Sequence, residues 1–290
     1  MIHKDDFMAT NYKVITIVLA FIWCKSQVAT AQRGEQLEAR PGLFTSPTQG
    51  YPGFFDTNMA EPETMVIEWP PIILPFTPLP TVALDYGVNE RLTLGANALM
   101  TTLPWLVGVK SAALKARTLL HGTETTQSTA TAYLGYFGGG KTFNMYWQLL
   151  TSNNAWKVAP NHILSANAAF INFGLVSGDL KSTNYNNIQI TTASIGAGHQ
   201  YIWTEDKSFS TYIMLPAWSS IKIDSATAAL DVDTDASSGD AMWGLARLSL
   251  DVRSEPWLYS FGLAYSHGNA KELLPKTSGL LPWFSATRKY

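Results

Sequence analysis

The sequence has little charge, a single cysteine and no apolar run long enough for a membrane helix. Charged residues are 14% of the 290 residues, against roughly 25% in soluble domains. Cys24 is the only cysteine, which excludes an intrachain disulfide. A mean hydropathy of +0.01 argues against a helical membrane bundle, because each helix of such a bundle needs about 20 consecutive apolar residues. The net charge of −2 predicts no binding to nucleic acid.

Aromatic residues, by contrast, are abundant, and the large apolar residues alternate with small or polar ones. Aromatics make up 12% of the chain and include 10 Trp. In residues 81–100 the alternation runs on both sides of Asn89-Glu90, which predicts two strands joined by a hairpin turn. A lipid-facing set and a lumen-facing set together average to neutral hydropathy. The pattern therefore predicts an all-β fold, an antiparallel transmembrane β-barrel.

The start of the chain has the order of a secretory signal peptide. A lysine precedes the ten-residue apolar run 14–23, and Ala29-Thr30-Ala31 offers a cleavage site. The next segment is rich in Pro, Gly and polar residues and has no period, which indicates irregular structure; a disordered tail is the alternative. We expect a signal peptide at 1–31, an irregular periplasmic arm or plug at 32–64, and the barrel at 65–290.

Alternating segments recur to the end of the chain and predict about twelve strands, in a range of roughly ten to fourteen. We expect short turns after residues 88, 203 and 252, a further turn from Asn153 to Asn161, and long polar outer loops at 177–187 and 224–240. Short periplasmic turns and longer outer loops are typical of transmembrane barrels. Two aromatic girdles are expected at the headgroup level. Their members include Tyr86, Tyr201, Trp203, Trp257 and Tyr259 beside the short turns, and Trp147 nearer other strand ends.

The signal peptide, the hairpin DYGVNERLTLG, the alternating repeats and the aromatic last residue together resemble bacterial outer-membrane β-barrel proteins of the porin and transporter type. The resemblance covers residues 65–290 and identifies no subfamily. It implies a place in the outer membrane of a Gram-negative bacterium, contact with outer-membrane lipids, and recognition of Tyr290 by the barrel-insertion machinery. Pro282, Arg288 and Lys289 depart from the family's pattern for the final strand, which weakens the match there.

The positions opposite to the apolar sets are predicted to line the lumen and to control binding or selectivity. They are Asp85, Asn97, Lys115, Arg117, Asn167, Arg247 and Asp251. A barrel of about twelve strands lies between filled eight-stranded barrels and open porins, so its lumen is expected to be narrow. We expect Arg247 to attract anions or to pair with a carboxylate such as Asp85. The alternative is a packed, salt-bridged interior that transports nothing.

The sequence shows no spacing typical of a metal or cofactor site, and we expect no metal, no cofactor and no enzymatic activity. His162, His199 and His267 are the candidate bases of a membrane-embedded lipid hydrolase. Ser165 and Ser266 are the nearest serines to two of them. Each serine differs in parity from its histidine, so the two side chains point to opposite faces of a strand and do not form a nucleophile–base pair.

The sequence thus favours a narrow outer-membrane channel for passive or semi-selective passage of small solutes. Two alternatives stay open. One is a non-conducting structural or surface-recognition barrel that acts through its outer loops, and the other is the lipid hydrolase. Conductance separates the channel from the recognition barrel, and lipid hydrolysis by variants of His162 and His267 tests the third.

Overall fold

The computed structural model of the chain is all-β. It describes residues 46–48, 50–52, 56–69, 82–97, 109–138, 143–178, 185–227, 230–236, 241–270 and 274–290. The predicted signal peptide and the first part of the predicted arm lie outside the described residues. No helix among the described residues has the length and hydropathy of a membrane span.

Thirteen strands are described, and all their pairings are antiparallel. They are β1 (Met65–Trp69), β2 (Ala83–Asn89), β3 (Leu92–Asn97), β4 (Lys110–Gly122), β5 (Thr126–Gly138), β6 (Phe143–Ala159), β7 (His162–Gly178), β8 (Tyr185–Thr204), β9 (Lys207–Thr227), β10 (Leu230–Ala236), β11 (Ala241–Ser254), β12 (Trp257–Ala270) and β13 (Leu274–Lys289). Within the described residues β10 pairs with β9 alone. The other twelve strands form a closed ring, which β1 completes by pairing with β13. The predicted barrel is confirmed.

Large apolar side chains are exposed on the outside of the ring, whereas polar side chains are buried on its inside. In β4, Leu114 is 56% exposed, while Ala113 and Lys115 on either side are 7% and 5% exposed. The same alternation in β11 exposes Leu248 and buries Ser249. This order is the reverse of a soluble protein and suits a barrel surrounded by lipid. A closed sheet also leaves no strand edge unpaired in the hydrocarbon.

One end of the barrel, called the short-turn end, carries tight connections. The described turns there are Glu90-Arg91, Thr123–Thr125, Pro160-Asn161, Glu205-Asp206 and Glu255-Pro256. The short turns predicted after residues 88, 203 and 252 are confirmed within two residues. Tyr86, Tyr201 and Trp203 are exposed beside these turns, where amphipathic rings favour the headgroup level.

Two segments that the sequence predicts to be turn or loop are strands instead. β6 continues to Ala159, so the turn expected from Asn153 to Asn161 is reduced to its last two residues. β9 runs to Thr227 and forms a hairpin with β10, so 224–240 is not one long loop. Polar residues suggested turns in both places, but pairing with a neighbouring strand overrides local preference. Residues 179–184, at the centre of the expected loop 177–187, lie outside the described residues.

Trp147 is not part of an outer girdle, which corrects the sequence-based expectation. It stands opposite Gly135 in the β5–β6 pair, and Gly135 shares its face of β5 with the buried Thr131. A Cβ built on Gly135 would overlap the indole ring of Trp147. The tryptophan therefore lies on the inner face, where the glycine makes room for it.

Gly95 of β3 has to be glycine, because Asp85 and Lys115 meet across it. A Cβ on Gly95 would overlap the Asp85 carboxylate and stand 2.8 Å from the carbonyl oxygen of Leu84. We expect Gly95→Ala to destabilise the barrel by ~1–3 kcal/mol, as overpacking does. The loss would appear as a smaller folded band in unheated electrophoresis after refolding. Gly279→Ala is the matched control, since nothing lies within 4 Å of a Cβ at that position. Equal folding of both variants would contradict this account.

Candidate functional site

The described residues between 46 and 64 (46–48, 50–52 and 56–64), called the arm from here on, contact the wall at the short-turn end of the barrel. At one side, Ser46 donates a hydrogen bond to Gln200 of β8 over 2.9 Å. At the other side, the Ala60 amide donates to the Thr93 hydroxyl of β3 over 3.1 Å. Strands β4 to β7 separate β3 from β8 along one side of the ring, so the arm bridges distant parts of the wall. Thr93 is completely buried beneath it.

Arg117 of β4 is the wall residue that binds the arm most closely. Its side chain is completely buried, and its Nε donates to the Thr131 hydroxyl over 3.0 Å. Its Nη1 donates to Asp56 Oδ1 over 3.0 Å and also to the carbonyl oxygen of Asn58. One edge of the guanidinium is thus fixed to the wall, and the other edge holds a carboxylate and a carbonyl of the arm.

Gln127 of β5 reinforces the same contact. Its Nε2 donates to the carbonyl oxygen of Thr57 over 2.6 Å, and both residues are buried. A buried polar group without a partner costs roughly 1–3 kcal/mol. The wall and the backbone of the arm therefore satisfy each other, and polar groups that would otherwise face the lumen hold the arm in place.

Tyr51 anchors the arm at the rim of the barrel. Its hydroxyl donates to Glu255 Oε2 over 2.9 Å, and its side chain belongs to a buried apolar cluster that includes Leu258 of β12. Burial and the Glu255 carboxylate raise the pKa of the Tyr51 phenol above its ordinary value, so the phenol stays a donor at neutral pH. Lys289 lies 4.8 Å from the centre of the same ring and binds Glu61 over 2.8 Å. Lys289, which departs from the family's pattern for the last strand, thus has a place in holding the arm.

A charged group lies on the wall beside Arg117. Asp85 of β2 and Lys115 of β4 form an ion pair that passes over Gly95 of β3, and both side chains are almost completely buried. Glu68 of β1 interacts electrostatically with both members of this pair. The expected pairing of Asp85 with Arg247 is therefore wrong. The alternation along each strand predicts that both residues face the inside of the barrel. It does not predict which residue of another strand lies close enough to form an ion pair.

Asp251 of β11 is surrounded by hydroxyl groups rather than by a cation. Ser210 donates to its Oδ2 over 2.6 Å, with Ser208 at 3.4 Å, and Ser260 donates to its Oδ1. These serines lie on β9 and β12, the two neighbours of β11. Asp251 therefore has cross-strand hydrogen-bond partners on both neighbouring strands.

The other predicted residues lie on the inner face, away from the arm contact at Arg117. Asn167 of β7 donates to the Tyr212 hydroxyl over 2.6 Å. Arg247 of β11 is the register partner of Tyr212, on the face opposite to the exposed Leu248. Asn97 is half-buried at the described end of β3. The predicted residues thus form separate groups rather than one site, and their role in binding or selectivity stays a prediction.

The sequence analysis missed the hydroxyl and amide groups that make up most of the buried polar lining. Examples are Thr93, Thr129, Thr131, Asn153, Ser208 and Ser249. It also missed Glu68, Gln127 and Gln200, and the arm residue Asp56. The same parity rule that selected the charged residues applies to the strand residues. For Asp56 no pattern existed, because the arm has no period.

The candidate hydrolase residues do not come together as a nucleophile and base. His162 and His199 contact each other through ring nitrogens 2.9 Å apart, while Ser165 has the opposite parity on β7. His267 is exposed, and the side chain of Ser266 lies outside the described residues. In the described part of the chain, no group of three or more His, Cys, Asp or Glu residues could hold a metal ion.

No protein-family model matches the chain, and no curated protein matches it. Solved structures do. The CymD monoaromatic hydrocarbon channel is 10% identical, with a TM-score of 0.39 over 78% of this chain and 87% of that one. OmpT from the outer membrane of Vibrio cholerae is 9% identical, with a TM-score of 0.40 over 73% of this chain but only 65% of that one. The translocator domain of the autotransporter NalP from Neisseria meningitidis is 8% identical, with a TM-score of 0.38 over 78% and 84%.

These neighbours carry no argument about a substrate. The closed antiparallel ring, with its apolar outer face and polar inner face, is itself the architecture of bacterial outer-membrane β-barrels. The chain is a barrel of this type, and the outer-membrane location expected from the sequence agrees with it.

Arg117→Gln is expected to loosen the arm while leaving the ring closed. Hydrogen bonds to charged groups contribute roughly 1.5–3 kcal/mol each, so cleavage of the arm by a protease that cuts after Asp or Glu should accelerate at least about tenfold. The rate is measured on the refolded barrel by mass spectrometry. Arg91→Gln, in the exposed turn between β2 and β3, is the matched control. Unchanged cleavage in Arg117→Gln would show that the arm is held elsewhere.

Proposed function

We propose that the protein is an outer-membrane channel for small solutes, with a polar lumen that the arm narrows at the short-turn end. The observation that carries the proposal is the crossing of the barrel mouth by the arm, from Gln200 on β8 to Thr93 on β3. A segment in that position restricts passage and, when displaced, admits it. The expected surroundings and partners are outer-membrane lipids, the insertion machinery and the solutes themselves. No catalytic step, metal or cofactor belongs to the proposal.

The polar lining supports an aqueous lumen. Buried side-chain oxygens of Thr129, Asn153, Ser219 and Ser249 have no hydrogen-bond partner among the described residues. Buried polar groups in proteins are nearly always hydrogen-bonded, to protein or to water. Water or a polar solute in the lumen can form hydrogen bonds with these groups. A dry core would leave them without hydrogen bonds, which is unfavourable in free energy.

The arm should limit conductance. We expect single-channel conductance of the refolded chain in planar bilayers to rise severalfold when all residues before Glu61 are removed. The truncation keeps the hydrogen bonds of Glu63 and Thr64 to Gly87, so the junction with β1 is preserved. Removal of residues 180–183, which leaves two residues for the turn between the register partners Gly178 and Tyr185, is the control that leaves the arm intact. If the truncated barrel folds but is silent, the channel proposal is wrong.

Arg247 should influence which ions pass. Because its positive charge lies on the inner face, Arg247→Ala should lower the permeability of anions relative to cations by roughly twofold. The reversal potential in a salt gradient measures this ratio. Arg91→Ala, which removes a charge from an exposed turn, should leave the ratio unchanged. A conducting Arg247→Ala barrel with the wild-type reversal potential would remove Arg247 from the lining.

Surface recognition is the second candidate function, and one observation favours it. The end of β9 pairs with β8 on one side and with β10 on the other. The β9–β10 hairpin therefore extends from the barrel at the end opposite to the short turns. A paired backbone is a firmer platform for a partner than a free loop. Deletion of residues 225–232 shortens both strands of this hairpin equally, because Asp224 and Asp233 are register partners and remain as its turn. The deletion should then abolish binding of that partner and leave conductance unchanged.

A further inference from the structure

We propose that the guanidinium of Arg117 is a binding site for the carboxylate of a small anionic solute, and that Asp56 of the arm occupies this site in the closed barrel. The inference rests on the proposed channel function and names the class of solute that displaces the arm. A solute carboxylate takes the place of the Asp56 carboxylate, the arm leaves the wall, and the short-turn end opens.

The guanidinium is prepared for a carboxylate before the arm arrives. Its Nε is committed to Thr131 on the neighbouring strand, which directs the Nη edge away from the wall. Both Arg117 and Thr131 belong to regular strands of the closed ring, so this orientation does not depend on the arm. A planar guanidinium that is fixed through its Nε matches the geometry of a carboxylate along its Nη edge.

Asp56 is an occupant that can be exchanged. In its ion pair with Arg117 the arginine is completely buried, but the Asp56 side chain is 36% exposed. A solute can therefore approach from the aspartate side. Asp56 Oδ1 also accepts the Asn58 amide over 2.9 Å, a local turn that stays intact when the carboxylate leaves Arg117. In the described part of the arm, the only isolated β-bridge to a strand is the backbone pairing of Pro62 with Gly87.

Asp85 and Asp251, two other carboxylates of the inner wall, have partners of their own. Asp85 is paired with Lys115 across Gly95, and Asp251 is held by serines of β9 and β12. Because Lys115 is paired with Asp85, the attraction for an added anion comes mainly from Arg117. Gln127 binds the Thr57 carbonyl of the arm, so it loses this partner when the arm leaves the wall.

The test measures the position of the arm without requiring conduction. The full chain carries Cys24→Ser, which removes its only cysteine, and Thr48→Cys in the arm. The rate of maleimide labelling of the refolded barrel is followed in sodium acetate, and in sodium chloride with acetamide at the same ionic strength. We expect acetate to accelerate labelling at least severalfold and in a saturable way, and acetamide with chloride to have no such effect.

Two variants make the result specific. Asp56→Asn leaves the wall intact, so it should fold, label faster without acetate and respond at lower acetate concentrations. Arg117→Gln should label rapidly and show no dependence on acetate, with folding verified by electrophoretic mobility. Equal effects of acetate and acetamide on the parent chain, or an acetate response that survives in Arg117→Gln, would overturn the inference. So would an Asp56→Asn variant that labels and responds like the parent.

The two proposals fail separately. If the truncated barrel does not conduct but acetate releases the arm, the anion-site proposal is supported and the channel proposal is wrong. If the truncated barrel conducts but acetate leaves the arm in place, the channel stands and the anion site falls.

Discussion

A strand in lipid has no water for its free backbone groups, so every strand edge of this barrel has to be paired. The ring closes at β1, whose five residues pair with β13 on one side and β2 on the other. The arm leads directly into this strand, and the Gly87 amide donates a hydrogen bond to the Thr64 carbonyl oxygen at the junction. Closure of the sheet and attachment of the arm therefore depend on the same short stretch of chain.

Closure divides the side chains into two environments with opposite requirements. The outer set is apolar because it meets lipid, and the inner set is rich in hydroxyl and amide groups because it meets polar partners. Within this inner set, glycines allow side chains of non-adjacent strands to meet. Asp85 reaches Lys115 over Gly95, and Asn167 reaches Tyr212 beside Gly196. A ring of twelve strands is small enough for one segment to reach from wall to wall.

The arm binds polar groups of the wall that a solute in the lumen could also bind. Its carboxylate, its backbone carbonyls and its amides bind Arg117, Gln127 and Thr93, all of which are buried where it lies. At the rim, Tyr51 and Lys289 add an aromatic and a charged contact. A lumen whose polar groups need partners is thus occupied by the chain's own segment. The proposed function and the proposed anion site both follow from the possibility that a solute replaces the arm as the partner of these polar groups.

The sequence by itself determined the strand periodicity, the approximate strand number and the face on which several charged strand residues lie. Lys115, Arg117 and Arg247 could be assigned to the inside because an alternation of two is a local property of a strand. Only the tertiary structure decided the partners. Arg117 and Asp56 are 61 residues apart, and register between strands, like the path of an aperiodic arm, depends on long-range contacts that no local pattern records. For the same reason the polar composition of β10 predicts a loop, whereas pairing with β9 makes this segment a strand.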